Sequence, residues 1–307
     1  MTFAHPALFY SDEESYIDGI VPFVVEGLAN AEPVVIAVPS RSLGLLREAL
    51  SGFAHLVTFI DLADTGRNPG RIIPDLRAFA DRHRGPLRII AEPVWEGRSE
   101  VEYPACALHE ALVNYAFSGR DLSILCPYNT TTLSHDILAD AEKTHPVVID
   151  AGGHRPSDHF HPARVVVAAH TMPLLIPEGA ASTSVGAGAM AAVRAFAREQ
   201  ATKLGLAPDR VDDFALVVTE LATNSVRHGG GESTVRVWTE SESIVCQVND
   251  NGHITDVLAG RTPVHANDPG GRGLLLVNRL ADLVRTQTTS SGTAIQVRFD
   301  LGNKKAT

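Results

Sequence analysis

Cysteine is scarce in this chain. Three occur in 307 residues, Cys106, Cys126 and Cys246, far apart and with no Cys-x-x-Cys pair. That rules out a disulfide framework, argues against structural zinc held through thiolates, and fits a reducing compartment. Positive charge is also short: 26 Lys and Arg stand against 36 Asp and Glu, a net charge of −10. Residues 1–170 hold 13 basic and 22 acidic side chains, and residues 171–307 hold 13 and 14. Neither half has the basic excess that a phosphate backbone demands, so no direct nucleic-acid binding is expected. Apolar runs such as Pro33–Pro39 and Val165–Pro177 are too short or too interrupted to cross a bilayer, and MTFAHPALFYSDEE lacks the parts of a secretory signal. The expectation is a cytoplasmic protein with no membrane segment. There is no Gly-x-x-x-x-Gly-Lys-Ser/Thr and no Gly-x-Gly-x-x-Gly after a strand, which disfavours a P-loop or Rossmann site.

What is present suffices for a sizeable core, with 44% hydrophobic and 20% charged residues. The length points to two domains. In the first half strands alternate with helices. Ser11 and Glu14 suggest a capping box for a helix to about Leu28. Val34–Val38 is apolar on both faces, as a buried parallel strand is. Helices at Ser42–Leu50, Gly70–Arg82 and Tyr103–Phe117 separate strands at Leu56–Ile60, Leu87–Ala91 and Leu122–Pro127. This pattern predicts an α/β domain with a parallel sheet over residues 1–170. Glu92 and Pro93 follow a strand end directly, where such folds build their ligand crevices.

Residues 171–187 read as a linker, small and polar through Pro177–Gly188. Residues 188–307 then give two helices, about Ala189–Lys203 and Pro208–His228, and strands Ser233–Trp238 and Ile244–Asn249. A helix near Gly273–Leu283 and a strand Ala294–Asp300 follow. Grouped helices with neighbouring strands predict an α+β sandwich with an antiparallel sheet.

Four segments could carry chemistry. On a helix, four residues turn about 400°, so Glu220, Asn224 and His228 form one polar stripe, with Leu216, Val217 and Leu221 able to face the core. The stripe is either a base, a Mg²⁺ ligand and a phosphate contact, or a solvated helix face. Asp250-Asn-Gly252 ends a strand, where a carboxylate can accept from an exocyclic amine or simply make a turn. Gly270, Gly271 and Gly273 precede an amphipathic helix whose N–H groups could receive a polyphosphate. Thr293 opens the last strand, its hydroxyl able to reach a base.

In this order and spacing, the four segments over residues 188–302 resemble the GHKL superfamily (gyrase, Hsp90, histidine kinase, MutL), and within it the anti-sigma-factor serine kinases. The resemblance implies ATP and Mg²⁺ as cofactors. Asn224 would carry Mg²⁺ and Glu220 would polarise the attacking hydroxyl as the catalytic residue. Asp250 and Thr293 would hold adenine, with Gly252 beside them. Gly271, Arg272 and Gly273 would close on the phosphates, with His228 nearby. Two departures stand out: Ile254 occupies the second glycine of the usual Asp-x-Gly-x-Gly box, and the lid, about Thr255–Gly271, is short and contains Pro263 and Pro269.

The first half has a likeness of its own. His5–Tyr10, Pro33–Pro39, Glu92-Pro-Val-Trp95-Glu-Gly-Arg98-Ser and His109-Glu110 resemble a MEDS sensory domain with a RecA-like core, over about residues 5–150. Glu92, Trp95, Arg98, Glu102, His109 and Glu110 could line a sensory pocket for a small-molecule signal. Alternatively Trp95 packs, Arg98 pairs with an acid, and His109-Glu110 is ordinary helix surface. His109-Glu110 also echoes the phosphoacceptor box of histidine kinases, without the Pro four residues beyond the Glu. His154, His159, His161 and His170 invite a metal reading with Asp158, or are a solvated connector. Together the resemblances imply a signal-responsive regulator of transcription, acting on a STAS anti-anti-sigma protein, a sigma factor, or both. A homodimer is consistent with related kinases. The other readings are a non-catalytic binding module with a degenerate ATP site, and a histidine kinase.

Overall fold

The computed structural model describes residues 3–162, 173–186, 188–230, 233–263 and 271–302. The chain divides into two compact units, Met1–His170 and Thr171–Thr307. Among the described residues no helix is long and apolar enough to cross a membrane.

The first unit runs β1 (Pro6–Tyr10), α1 (Glu13–Ala29), β2 (Val34–Val38), α2 (Ser40–Ala49), β3 (Val57–Asp61), α3 (Ile72–Asp81), β4 (Leu87–Ala91), α4 (Tyr103–Ala116), β5 (Leu122–Asn129), α5 (His135–Thr144), β6 (Val147–Asp150) and β7 (Gly153–Pro156). Its sheet has the order β3-β2-β4-β5-β1-β6-β7, parallel except for the antiparallel β6–β7 pair. Every residue of β2 and β4 is buried, which is why both read as unbroken apolar or near-apolar runs. The capping box of α1 sits one residue later than expected. Ser15 N donates to the Asp12 carboxylate at 2.8 Å, and Asp12 N donates to Ser15 Oγ at 3.1 Å. The carboxylate outcompetes the neighbouring Ser11 hydroxyl as the cap.

A buried ion pair lies inside this unit. Arg88 on β4 points at α1 and the turn after it, where Nε donates to Glu32 at 2.6 Å and Nη1 to Glu26 at 2.8 Å and to the Phe23 carbonyl at 2.8 Å. A Cβ on Gly27 would stand 2.7 Å from Arg88 Cδ, so the glycine is what admits the side chain.

The second unit runs β8 (Ala181–Val185), α6 (Met190–Lys203), α7 (Pro208–His228), β9 (Ser233–Glu240), β10 (Ser243–Asp250), α8 (Arg272–Leu280), β11 (Leu283–Thr289) and β12 (Gly292–Asp300). The sheet order is β11-β12-β10-β9-β8, with antiparallel neighbours throughout. Val193 and Ala197 of α6 and Phe214, Val217, Val218 and Leu221 of α7 pack on Val235, Val237, Cys246, Val248, Val297 and Phe299. Phe214 meets Phe299 edge to face at 5.3 Å between centroids. Leu216, expected in this core, is only half-buried, and Phe214 and Val218 take that role. Residues 181–185, read as linker, instead form the edge strand, because Val185 reaches the core while Ser182 and Ser184 stay on the wet side. Of the expected lid, residues 264–270 lie outside the described residues.

Replacing Arg88 with Ala would strand Glu32, whose side chain is 4% exposed. We expect a loss of about 3–5 kcal/mol in urea unfolding of the first unit, partly recovered by adding Glu32→Ala. A loss under about 1 kcal/mol would contradict this reading of the pair.

Candidate functional site

In the second unit, α7 has one face in the core and the other at the site. Phe214, Val217, Val218, Leu221 and Ser225 are buried, whereas Glu220 and Asn224 lie on the half-exposed flank. The start of α8 meets that flank. A Cβ built on Gly273 would be 2.9 Å from Glu220 Oε2 and 3.2 Å from Asn224 Nδ2, so the backbone of α8 comes directly against both side-chain ends. Gly271, with φ of 84°, turns the chain into α8, and no side chain among the described residues caps it. A carboxylate, an amide and the positive end of a helix therefore converge. The amide and carboxylate oxygens are hard donors of the kind Mg²⁺ takes, and the helix terminus suits polyphosphate, so the residues present fit Mg²⁺-ATP. Arg272 is exposed at the first position of α8. The His228 ring is exposed too. What reaches the site is its backbone carbonyl, which a Cβ on Gly252 would approach to 2.4 Å.

The other end of the site is built around Asp250. Sheet register sets Asp250 opposite Thr293 on one side and Ser233 on the other. Its Oδ2 accepts from Ser225 Oγ of α7 at 2.6 Å, and its Oδ1 from Gly252 N at 2.8 Å. Thr293 Oγ1 donates to the Gly252 carbonyl at 2.8 Å. Three glycines surround the aspartate. A Cβ on Gly229 would lie 2.5 Å from Asp250 Cγ, one on Gly252 3.0 Å from Oδ1, and one on Gly292 2.0 Å from the Asp250 carbonyl. Ser225 and Gly229 escaped the sequence reading; the small residues flanking the Asn224 helix end were the available signal. Ile254 packs against the core of the unit, which is why an apolar side chain stands there. The cavity of about 970 Å³ in this unit touches Asp250 and Thr293 but neither Glu220 nor Asn224. It is lined by Thr234, Arg236, Asn249 and Gln287, whose strand positions alternate with the core residues, so it opens on the opposite face of the sheet.

The six expected sensory residues of the first unit do not share one pocket. Glu92 and Trp95 line a cavity of about 530 Å³ with Tyr10, Tyr16, Arg41, Ser42 and Asn129, at the carboxyl ends of β1, β2, β4 and β5. Glu92 is buried and accepts from Tyr10 at 3.2 Å and Tyr16 at 3.0 Å. Arg98 is instead structural: it stacks on Trp95 at 3.6 Å and donates to the carbonyls of Pro93, Arg67 and Gly66. Glu102 accepts from Ser99 N and faces Arg98 at 3.7 Å. His109 and Glu110 are buried in α4 rather than on its surface, because α4 lies deep in the domain. His154, His159 and His161 are exposed and, among the described residues, belong to no cluster of three or more metal-ligating groups, His159 lying 3.8 Å from Glu142; His170 lies outside the described residues.

Residues 4–146 match the family described as MEDS, the methanogen/methylotroph DcmR sensory domain, and residues 184–299 match the histidine kinase-like ATPase domain. The serine-protein kinase RsbW of Bacillus licheniformis is 32% identical over 113 residues, covering 32% of this chain and 71% of that protein. RsbW of Bacillus subtilis (strain 168) is 30% identical over 118 residues, covering 34% and 74%. The chain belongs to the RsbW serine-kinase family. In this RsbW-family chain the kinase-type ATPase domain follows a MEDS domain, the fusion that the two sequence likenesses implied. Among solved structures, histidine kinase AdeS of Acinetobacter baumannii aligns at 12% identity over 66% of this chain and 98% of its own, with a TM-score of 0.24, too slight a likeness to argue from.

Burial pushes the Glu92 carboxyl from 4.5 up to about 7, with the hydroxyls of Ser42, Tyr16 and Tyr10 only partly offsetting it. The folded chain then keeps a proton that the unfolded chain releases. Stability therefore falls as pH rises from about 4.5 to about 7, by roughly 3 kcal/mol, and that contribution is flat above. Urea unfolding at pH 5 and pH 8 checks this: the wild type should lose ~2 kcal/mol or more relative to Glu92→Gln. Equal pH slopes would contradict it.

Proposed function

We propose that the chain is an ATP- and Mg²⁺-dependent serine/threonine protein kinase of the anti-sigma type. Its phosphoacceptor would be a serine or threonine of a STAS anti-anti-sigma protein, and a sigma factor its alternative partner. The observation that carries this reading is the meeting of the α8 N-terminus with Glu220 and Asn224 across Gly273. ATP, when bound, supplies the γ-phosphoryl group, and Mg²⁺ neutralises its charge. Phosphoryl transfer asks the protein mainly for positioning and charge compensation. Asn224 offers its amide oxygen to the metal. Glu220 accepts a hydrogen bond from the incoming hydroxyl and aligns it in line with the phosphoryl group. The N–H groups at the start of α8 would hold phosphate oxygens, and Asp250 and Thr293 would receive the adenine edge.

The cavity around Glu92 is where a small-molecule signal would enter. Its two tyrosines and acid suit a small ligand carrying hydrogen-bond donors. The packing of Ile254 into the core gives a reason for its departure from the glycine box other than decay of the site. A histidine kinase using His109 is disfavoured, since that residue is 1% exposed and has no access to a phosphoryl donor.

Glu220→Gln tests the assignment. Transfer from γ-labelled ATP to a purified STAS substrate should fall by about 10²-fold or more, with ATP affinity held within a few-fold. Wild-type transfer that survives the substitution would remove Glu220 from the chemistry. Capture of the partner with no transfer by the wild type would favour a binding module.

A further inference from the structure

Four metal-ligating side chains meet inside the first unit, away from the cavity around Glu92. They are His5, just ahead of β1; Glu110 on α4; Cys126 on β5; and His145, between α5 and β6. All four are buried, and their ligand atoms lie within 4.8 Å of one another. Glu110 Oε2 is 3.4 Å from His5 Nε2 and 3.5 Å from His145 Nε2, and Cys126 Sγ is 3.4 Å from His5 Nε2 and 3.7 Å from Glu110 Oε2.

The surroundings fix which way each imidazole points. Asn114 Nδ2 donates to the Thr144 carbonyl at 2.8 Å, so its Oδ1 is the atom facing His5 Nδ1 at 3.2 Å. His145 Nδ1 stands 2.8 Å from the Ala141 carbonyl and 3.0 Å from Thr144 Oγ1, whose own hydrogen is directed to the Asp140 and Ala141 carbonyls. These partners are acceptors, so both Nδ1 atoms carry hydrogen and both Nε2 lone pairs aim at the centre. An imidazole held through Nδ1–H by an acceptor is the arrangement that metal-binding histidines show. His145 Nε2 makes no hydrogen bond although it is fully buried. Two imidazole lone pairs and a carboxylate thus face one another, with one thiol hydrogen among them. A cation at the centre would turn this repulsion into four bonds.

Four of the donor separations, from 3.4 to 3.7 Å, lie close to what such an ion needs, and the set spans no more than 4.8 Å. Tetrahedral zinc with bonds of about 2.0 Å to nitrogen and oxygen and about 2.3 Å to sulfur sets donors about 3.3–3.6 Å apart. We propose that His5, Glu110, Cys126 and His145 form a closed, buried site for one divalent transition-metal ion, zinc by its donor set. Two imidazoles and a thiolate select zinc over Mg²⁺ or Ca²⁺, and four protein donors leave no open position. On binding, the Cys126 S–H proton leaves to solvent and the thiolate takes its place on the metal. The ion would join four segments distant in sequence at the middle of the parallel sheet, so its binding would appear as stability.

The test is Co²⁺ titration of the tag-free, full-length chain after chelator treatment, with elemental analysis of the Zn²⁺-reconstituted protein. We expect one equivalent per chain, the visible bands of tetrahedral Co²⁺, and a thiolate charge-transfer band that Zn²⁺ abolishes by displacement. Cys126→Ser should lose the charge-transfer band and His145→Ala the stoichiometric binding, while His159→Ala, at an exposed histidine, keeps both. Removing the metal should lower the melting temperature of the wild type. Should the Cys126 or His145 variants fail to fold, the wild-type titration decides alone. A folded wild type that takes up no stoichiometric Zn²⁺ or Co²⁺ would overturn the site, as would a charge-transfer band that survives in Cys126→Ser.

Discussion

The kinase-type unit depends on the enclosure of Asp250. Backbone from the end of α7, the turn after β10 and the start of β12 all close on this residue, to distances at which a single added methyl would collide. The aspartate answers each approach with a bond or a contact: Ser225 from the helix, Gly252 N from the turn, and Thr293 through the Gly252 carbonyl. This joint fixes where α7 lies against the sheet. Once α7 is placed, its core face sets the helix rotation, and Glu220 and Asn224 follow on the flank that α8 meets. Glycine at positions 229, 252 and 292 is therefore not permissiveness for its own sake. It is the condition for a carboxylate, a helix terminus and three strands to share one small volume.

The two units use charge differently. The second buries the cations Arg261 and Arg298 and the amides Gln247, Asn278 and Gln296, while its acids Glu220 and Asp250 stay on a half-exposed flank and at a strand end. The first carries acids inside as well. Arg88 is neutralised by Glu32 under α1, Glu92 is held by two tyrosines at the strand ends, and Glu110 is surrounded by His5, Cys126 and His145. Burying such groups costs stability unless each has its partner. Glu92 and Glu110 look onto a cavity and a lone-pair cluster, environments whose energy a bound molecule or ion would change. Binding of any ligand at such interior groups would appear in the stability of the domain.

Much of this was legible in the sequence, and the part that was not has a physical reason. The parallel strands β2 and β4 announce themselves because burial on both faces demands unbroken apolar runs. The Glu220–Asn224 stripe and the order of Asp250, Gly273 and Thr293 are local and ordered, so spacing reveals them. Edge strand β8 escaped because small polar residues with one inward Val look like a linker. Strands β6 and β7 went unread because they are short and, for β7, polar; helix α5, as long as α2 and α3, went unread because it buries only Ala141 and Thr144. The sensory residues fared worst as a group. Sequence proximity put Arg98, Glu102, His109 and Glu110 beside Glu92, yet helix geometry sends Glu110 into the interior and Arg98 under Trp95. The His5, Cys126 and His145 cluster draws on positions more than a hundred residues apart, which no spacing rule can join. A search for paired thiolates passes over a site that uses one.

The central claim is that the α7 flank and the α8 terminus form one Mg²⁺-ATP site. Calorimetric titration of ATP into the full-length chain, with and without Mg²⁺, tests it most directly when repeated on Asn224→Ala. The account predicts Mg²⁺-dependent binding at one site per chain that is lost or weakened by at least about tenfold, roughly 1.4 kcal/mol, in the variant. Binding that ignores Mg²⁺ and the substitution alike, or a folded wild type that binds no ATP, would contradict it.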